Sequence, residues 1–204
     1  MNNIDKKIAE LKMHQRMEKE KLSNEQNEPK KEQSENNINL EDIINMIVSG
    51  TVRINGSTFI FRKKSYLKER LEMPIPMNYF SEQVNTETNI ALMNDLHGVT
   101  FSGTYINNAP KKQKFSEFKA GMEKGFKEMG ISAEWIEEGH FGEGADEIYY
   151  GTYKTPTAKG DLYNFLFYRQ YNKTMMIGNY NCFYKEIDTW EPLIKASVLL
   201  MNVK

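Results

Sequence analysis

The chain has 204 residues and a formal net charge of −1, which suits one domain with an appendage and offers no basic face of the kind nucleic acid demands. Its single cysteine, Cys182, excludes an intramolecular disulfide, as in a reducing compartment. No apolar run approaches the roughly 20 residues of a membrane span, and the start lacks both a secretion signal's apolar core and a cysteine for lipid anchoring, so the expectation is a cytoplasmic protein. Abundant asparagine, lysine and isoleucine resemble a low-GC bacterial proteome.

Residues 1–38 carry eight acidic and eight basic side chains and no aromatic residue. Ile4, Ile8 and Leu11 make one apolar stripe of a polar N-terminal helix, which fades at Gln15 and Glu18 before a coiled coil is built. SNEQNEPKKEQSENN lacks the apolar surface to offset its ordering entropy and reads as a flexible linker. The segment is either a docking helix on a tether, with Ile4, Ile8 and Leu11 as partner-binding residues, or a frayed tail.

A single globular domain is expected over residues 39–204. NLEDIINMIVSG reads as a short helix ending at Gly50. TVRINGSTFIF follows, and its Asn55-Gly56 pair is a strong hairpin signal. A two-residue turn there sets Val52 opposite Phe59 and puts Val52, Ile54, Phe59 and Phe61 on one face. In RLEMPIPMNYF, Pro74 and Pro76 remove donors from the same edge, so the segment is an edge strand or leaves one. GVTFSGTYI alternates with Val99, Phe101 and Tyr105 on one side.

Phe115, Phe118, Met122, Phe126 and Met129 recur at helical spacing in KFSEFKAGMEKGFKEMG, with Ser116 as the expected cap and Gly130 as the expected stop. Four strand-like runs follow: SAEWIEEGHF, DEIYYGTYKT, DLYNFLFYRQYN and KTMMIGNYNCFY. In the last element, DTWEPLIKASVLLMN, Asp188 and Glu191 have capping-box spacing, which places Pro192 in the first turn. Strands joined by short turns pair antiparallel, and helices packed on them make an α+β domain, a twisted antiparallel sheet flanked by helices.

Motifs of chemistry are missing. There is no phosphate-binding loop, no nucleophile elbow and no zinc spacing, and GHFGEG lacks the dinucleotide spacing. His14, His97 and His140 are scattered. Cys182 pairs in principle with His97 or His140, but it lies in a strand run with Tyr180 and Tyr184 on its side of the pleat, where a buried thiol is the better reading. The basic clusters at Arg62, Lys63 and Lys64 and at Lys111, Lys112 and Lys114 are short and read as solvated loops. No catalytic, cofactor-binding or metal-ligating residue is assigned.

The conspicuous stretch is EEGHFGEGADE, with Glu137, Glu138, Glu143, Asp146 and Glu147, inside a span from Glu128 to Tyr153 that contains no lysine or arginine. It reads as a charged turn between strands, as an acidic partner-binding rim, or as a hard-cation or catalytic site. If the strand persists, Glu137 and Glu138 point to opposite faces.

LEMPIPMNYF, GVTFSGTYI, the helix at KFSEFKAGMEKGFKEMG and the ending IGNYNCFYKEIDTWEPLIKASVLL, in this order, resemble the PsbP-like fold family, which takes in DcrB proteins and Eag secretion chaperones. The resemblance covers about residues 66–204. It implies an α/β/α sandwich and a protein that binds rather than catalyses; DcrB relatives are lipoproteins, Eag relatives cytoplasmic holders of apolar helices. The expectation is a non-enzymatic cytoplasmic binding module, an adaptor or chaperone for a protein partner in secretion or assembly, with no cofactor and no nucleic acid. The alternatives are an immunity-type inhibitor that meets a basic toxin through the acidic rim, and a metal-dependent enzyme built on residues 137–147.

Overall fold

In the computed structural model residues 39–109, 114–144, 147–171 and 173–204 are described. The readings at Ile4, Ile8, Leu11 and Asp146, and at Lys111 and Lys112, lie outside the described residues.

Helix α1 (Leu40–Ser49) starts at Asn39, whose side chain accepts from the Asp42 amide while the Asp42 carboxylate accepts from the Asn39 amide, a reciprocal cap. Gly50, at φ 91°, ends it, and Ile43 and Ile47 are buried. Strands β1 (Thr51–Ile54) and β2 (Ser57–Tyr66) pair as the Asn55-Gly56 turn requires, Val52 opposite Phe59. Both turn residues have positive φ, 46° and 74°, the condition for the twist-matched two-residue hairpin.

Strand β3 (Leu71–Pro76) lies between β2 and the short C-terminal β11 (Asn202–Val203), so it is not a simple edge. Yet β11 reaches only Leu71 and Glu72. The Met77 amide donates to the Ile60 carbonyl, so alternate residues face β2 and the two prolines face the side that β11 leaves open. The proline half of β3 is therefore an edge.

The second sheet has seven antiparallel strands in the order β4-β5-β6-β10-β9-β8-β7. Its members are β4 (Ser81–Asn85), β5 (Asn89–Asn94), β6 (Val99–Asn107), β7 (Glu134–Phe141), β8 (Ile148–Thr155), β9 (Leu162–Tyr171) and β10 (Thr174–Phe183). The sequence pattern misses β4 and β5. Every side chain of β4 is exposed, so no alternation marks it. The expected single sheet is thus two, because the hairpin β1-β2 pairs with β3 and not with the long meander.

Helix α2 (Phe115–Glu128) packs Phe118, Met122 and Phe126 with Tyr153, Leu166, Tyr168 and Trp135 on one face of the large sheet. It begins two residues earlier than a Ser116 cap requires: Lys114 holds the cap position with no side-chain bond, since burial of Phe115 against Tyr168 sets the start. Gly130, at φ 68°, closes its end as expected.

The opposite face carries Phe101, Tyr105, Tyr163, Phe165, Met176, Tyr180 and Cys182, which share one core with α1, the small sheet and α3 (Ile187–Leu199). Gly178 lies opposite Gly103 there; a Cβ at Gly178 would stand 2.3 Å from the Phe167 ring, so the absent side chain makes room for the aromatic layer. Asp188 caps nothing. A 3-10 turn (Tyr184–Glu186) runs directly into α3, the Ile187 amide bonds to the Tyr184 carbonyl, and Pro192 falls inside the helix. Tyr184 leaves the pleat at this turn and is partly exposed, unlike Tyr180 and Cys182.

Candidate functional site

Charge comes first. Glu137 and Glu138 do face opposite sides of β7, and each meets a lysine. Lys195 of α3 lies 2.8 Å from Glu137 and 3.0 Å from Glu191, and Lys119 of α2 lies 3.6 Å from Glu138. The Tyr150 hydroxyl donates to Glu137 at 2.8 Å and the Tyr163 hydroxyl to Glu191 at 3.1 Å. Glu134 pairs with Lys154. The cations missing from the local sequence therefore arrive from other elements. Glu143 is exposed in the turn before β8, and Glu147 is half-buried just ahead of that strand.

Burial works to raise the Glu137 carboxyl, but hydrogen bonds from Lys195 and Tyr150 outweigh it and hold the group below its ordinary range. Burial likewise works against the charged Lys195, and its bonds to Glu137 and Glu191 reverse the sign and raise it. Among the described residues, no three of histidine, cysteine, aspartate and glutamate are grouped to hold a metal ion. Cys182 is fully buried, and burial, then Glu186 and Glu191, push its thiol up to about 12, away from the nucleophilic thiolate. His97 stacks on Tyr79 and His140 packs near Tyr149.

A second concave feature lies elsewhere. A groove of about 600 Å³ opens where four stretches converge: Ser57–Ile60 at the start of β2, Pro76–Tyr79 after β3, His97 in the β5–β6 turn, and Glu186–Trp190 at the start of α3. Trp190 is its floor, 5% exposed. The Phe59, Tyr79 and Trp190 rings meet at centroid distances of 5.1–6.0 Å and at steep angles, and His97 lies flat on Tyr79 at 5.6 Å. Ile60 and Met77 stand on the rim, each about half exposed (49% and 47%).

Hydrogen bonds hold this arrangement in place. The Asn94 side-chain amide donates to the Tyr79 carbonyl at 2.7 Å, and its oxygen accepts from the His97 amide at 3.0 Å, so one residue fixes two walls. Asn55, at the hairpin tip, donates to the Thr189 hydroxyl at 3.1 Å and ties β1-β2 to α3. Asn78, at φ 55°, turns the chain so that Tyr79 enters the cluster. Burial, then the Glu186 carboxylate and Cys182, hold the Tyr79 phenol far above its ordinary range. The surface so built presents ring faces, aliphatic rim residues, neutral hydrogen-bonding groups and one carboxylate.

No family model matches the chain, and no curated protein matches its sequence. Among solved structures it is similar to cyanobacterial PsbP (CyanoP) from Synechocystis sp. PCC 6803, with a TM-score of 0.56 at 11% identity, covering 71% of this chain and 92% of that one. It is also similar to a Pseudomonas aeruginosa protein of unknown function, PA94, with a TM-score of 0.45 at 8% identity, covering 69% and 94%. The fold is PsbP-like. At these identities the likeness concerns the fold alone. Among the described residues, no helix is long and apolar enough to cross a membrane.

The sequence readings bring none of the groove together. Trp190 was legible only as part of an apolar helix face, Phe59 as part of a hairpin face, and His97 as a scattered histidine. The available signal was MNYF directly after two prolines, an aromatic pair where a strand has to stop.

Proposed function

We propose that the protein is a non-enzymatic binding module, an adaptor or chaperone, whose groove at Phe59, Tyr79 and Trp190 receives an extended segment of a protein partner. The observation that carries this reading is a preformed aromatic floor with two aliphatic residues, Ile60 and Met77, held out on its rim. Apolar sites with a few placed polar groups are the common form of a binding site, and pinned walls lower the ordering cost of association. Among the described residues, the lining hydroxyls of Ser57, Thr58 and Thr189 have no hydrogen bond to a histidine or carboxylate, which supports binding over catalysis. The lone buried thiol supports a reducing, cytoplasmic setting.

The test is capture from a native lysate of the source organism by the full chain and by its Ile60→Ser/Met77→Ser variant. A partner held by the first and lost by the second supports the reading. Equal capture by both would overturn it and move the contact elsewhere. An Ile4→Ser/Ile8→Ser/Leu11→Ser variant, run in parallel, reports whether residues 1–38 contribute to the same capture.

A further inference from the structure

We infer that the groove selects a cationic segment: its occupant is a stretch of the protein partner that places an apolar side chain beside a lysine or arginine. The inference rests on the binding reading above and adds the chemistry of what is bound. Among the described residues lining the groove, Glu186 is the only carboxylate, and none is lysine or arginine. Glu186 is exposed and has no ion-pair partner among the described residues, whereas Glu137 and Glu191 share Lys195 and Glu87 pairs with both Lys68 and Arg70.

Geometry says where the charge goes. Phe59, Tyr79 and Trp190 are in mutual contact, so no ammonium enters between them as it would in an open aromatic cage. The apolar part of a ligand therefore covers the rings and the Ile60–Met77 rim, and its charge lies at the edge, at Glu186. That carboxylate also complements the N-terminal end of α3, which stabilises it there without a cation of the chain's own. An anionic ligand would meet Glu186, with Asp188 two residues on, and no lining cation to offset them, so the same arrangement rejects acidic segments.

The experiment uses three probes with one ring and three charges: benzylamine, benzyl alcohol and phenylacetate. Each is titrated at equal ionic strength into the isotope-labelled full chain, and the Trp190 indole and the Met77, Tyr79 and His97 amides are followed by NMR. Benzylamine is expected to bind about threefold to fivefold more tightly than benzyl alcohol, the range of an exposed ion pair, and phenylacetate more weakly than either. In Glu186→Gln the benzylamine advantage vanishes while benzyl alcohol binding is unchanged. Phenylacetate binding as tightly as benzylamine, or an advantage that survives Glu186→Gln, would overturn the inference and leave the groove reading standing. If no probe moves these resonances, the groove reading itself fails, and this inference with it.

Discussion

Residues 137–147 and the groove at Tyr79 and Trp190 differ in how charge and apolar surface are arranged. The acidic stretch is dense along the chain, yet its first two carboxylates are paired in space: Lys195 of α3 and Lys119 of α2 meet Glu137 and Glu138, as Lys154 of β8 meets Glu134 just ahead of them. The groove is the reverse. Its members, from Phe59 to Trp190, are spread over most of the domain and carry a single unpaired carboxylate. Charge density in a sequence is a poor guide to charge density on a surface, because a strand's partners are chosen by the sheet and not by its neighbours along the chain.

The largest expected effect breaks the comparison at the groove floor. Trp190→Ala removes a buried ring that Phe59 and Tyr79 pack on and should cost about 3–5 kcal/mol in urea unfolding. His97→Ala, at an exposed position on the same groove, should stay within about 0.5 kcal/mol. Similar costs for both would mean that the floor is no more structural than the rim.

Next is the acidic side. Lys195→Met leaves Glu137 and Glu191 without their shared donor and should cost about 1–3 kcal/mol. A double-mutant cycle with Glu137→Gln should show coupling between the two positions, and additive costs would argue that the pair contributes nothing.

A pH series sharpens the same point. The folded-state pKa of Glu137 lies below its unfolded value, so its stabilising contribution is complete above about pH 4.3 and is lost as pH falls through the lower folded value. Lys195, raised in the fold, contributes below about pH 10.4 and loses its contribution as pH rises through the higher folded value. Glu137→Gln should flatten the acid limb of stability measured by urea unfolding; an unchanged limb would place acid sensitivity elsewhere.

The smallest effect links hairpin and groove. Gly56→Ala forces a side chain into the left-handed region and should cost about 1 kcal/mol, readable as a lower thermal midpoint. It should also loosen the Asn55–Thr189 bond at the groove wall, visible as a shift of the Thr189 amide resonance.

Much of the fold was legible because its signals are local. The Asn55-Gly56 turn, the Gly50 and Gly130 helix ends, the alternation at Val99, Phe101 and Tyr105 and the stripe through Phe118, Met122 and Phe126 each act within a few residues. The failures were also local in cause. β4 shows no alternation because both its faces are wet, Ser116 loses the cap to the burial of Phe115, and Asp188 loses it to a preceding 3-10 turn. Beyond the MNYF signal the candidate site was not legible, since Asn94, Asn55 and Trp190 acquire their roles only when two sheets and α3 converge.

By itself the sequence determined the α+β class, the hairpin register and which helix faces are apolar, because backbone geometry and turn chemistry act over neighbouring residues. Only the tertiary structure decided that the strands divide into two sheets, that Glu137 and Glu138 of the acidic stretch find their lysines on two different helices, and that four separated segments enclose an aromatic groove. Those outcomes depend on which distant surfaces bury one another, and burial is a property of the packed chain rather than of any short stretch of it.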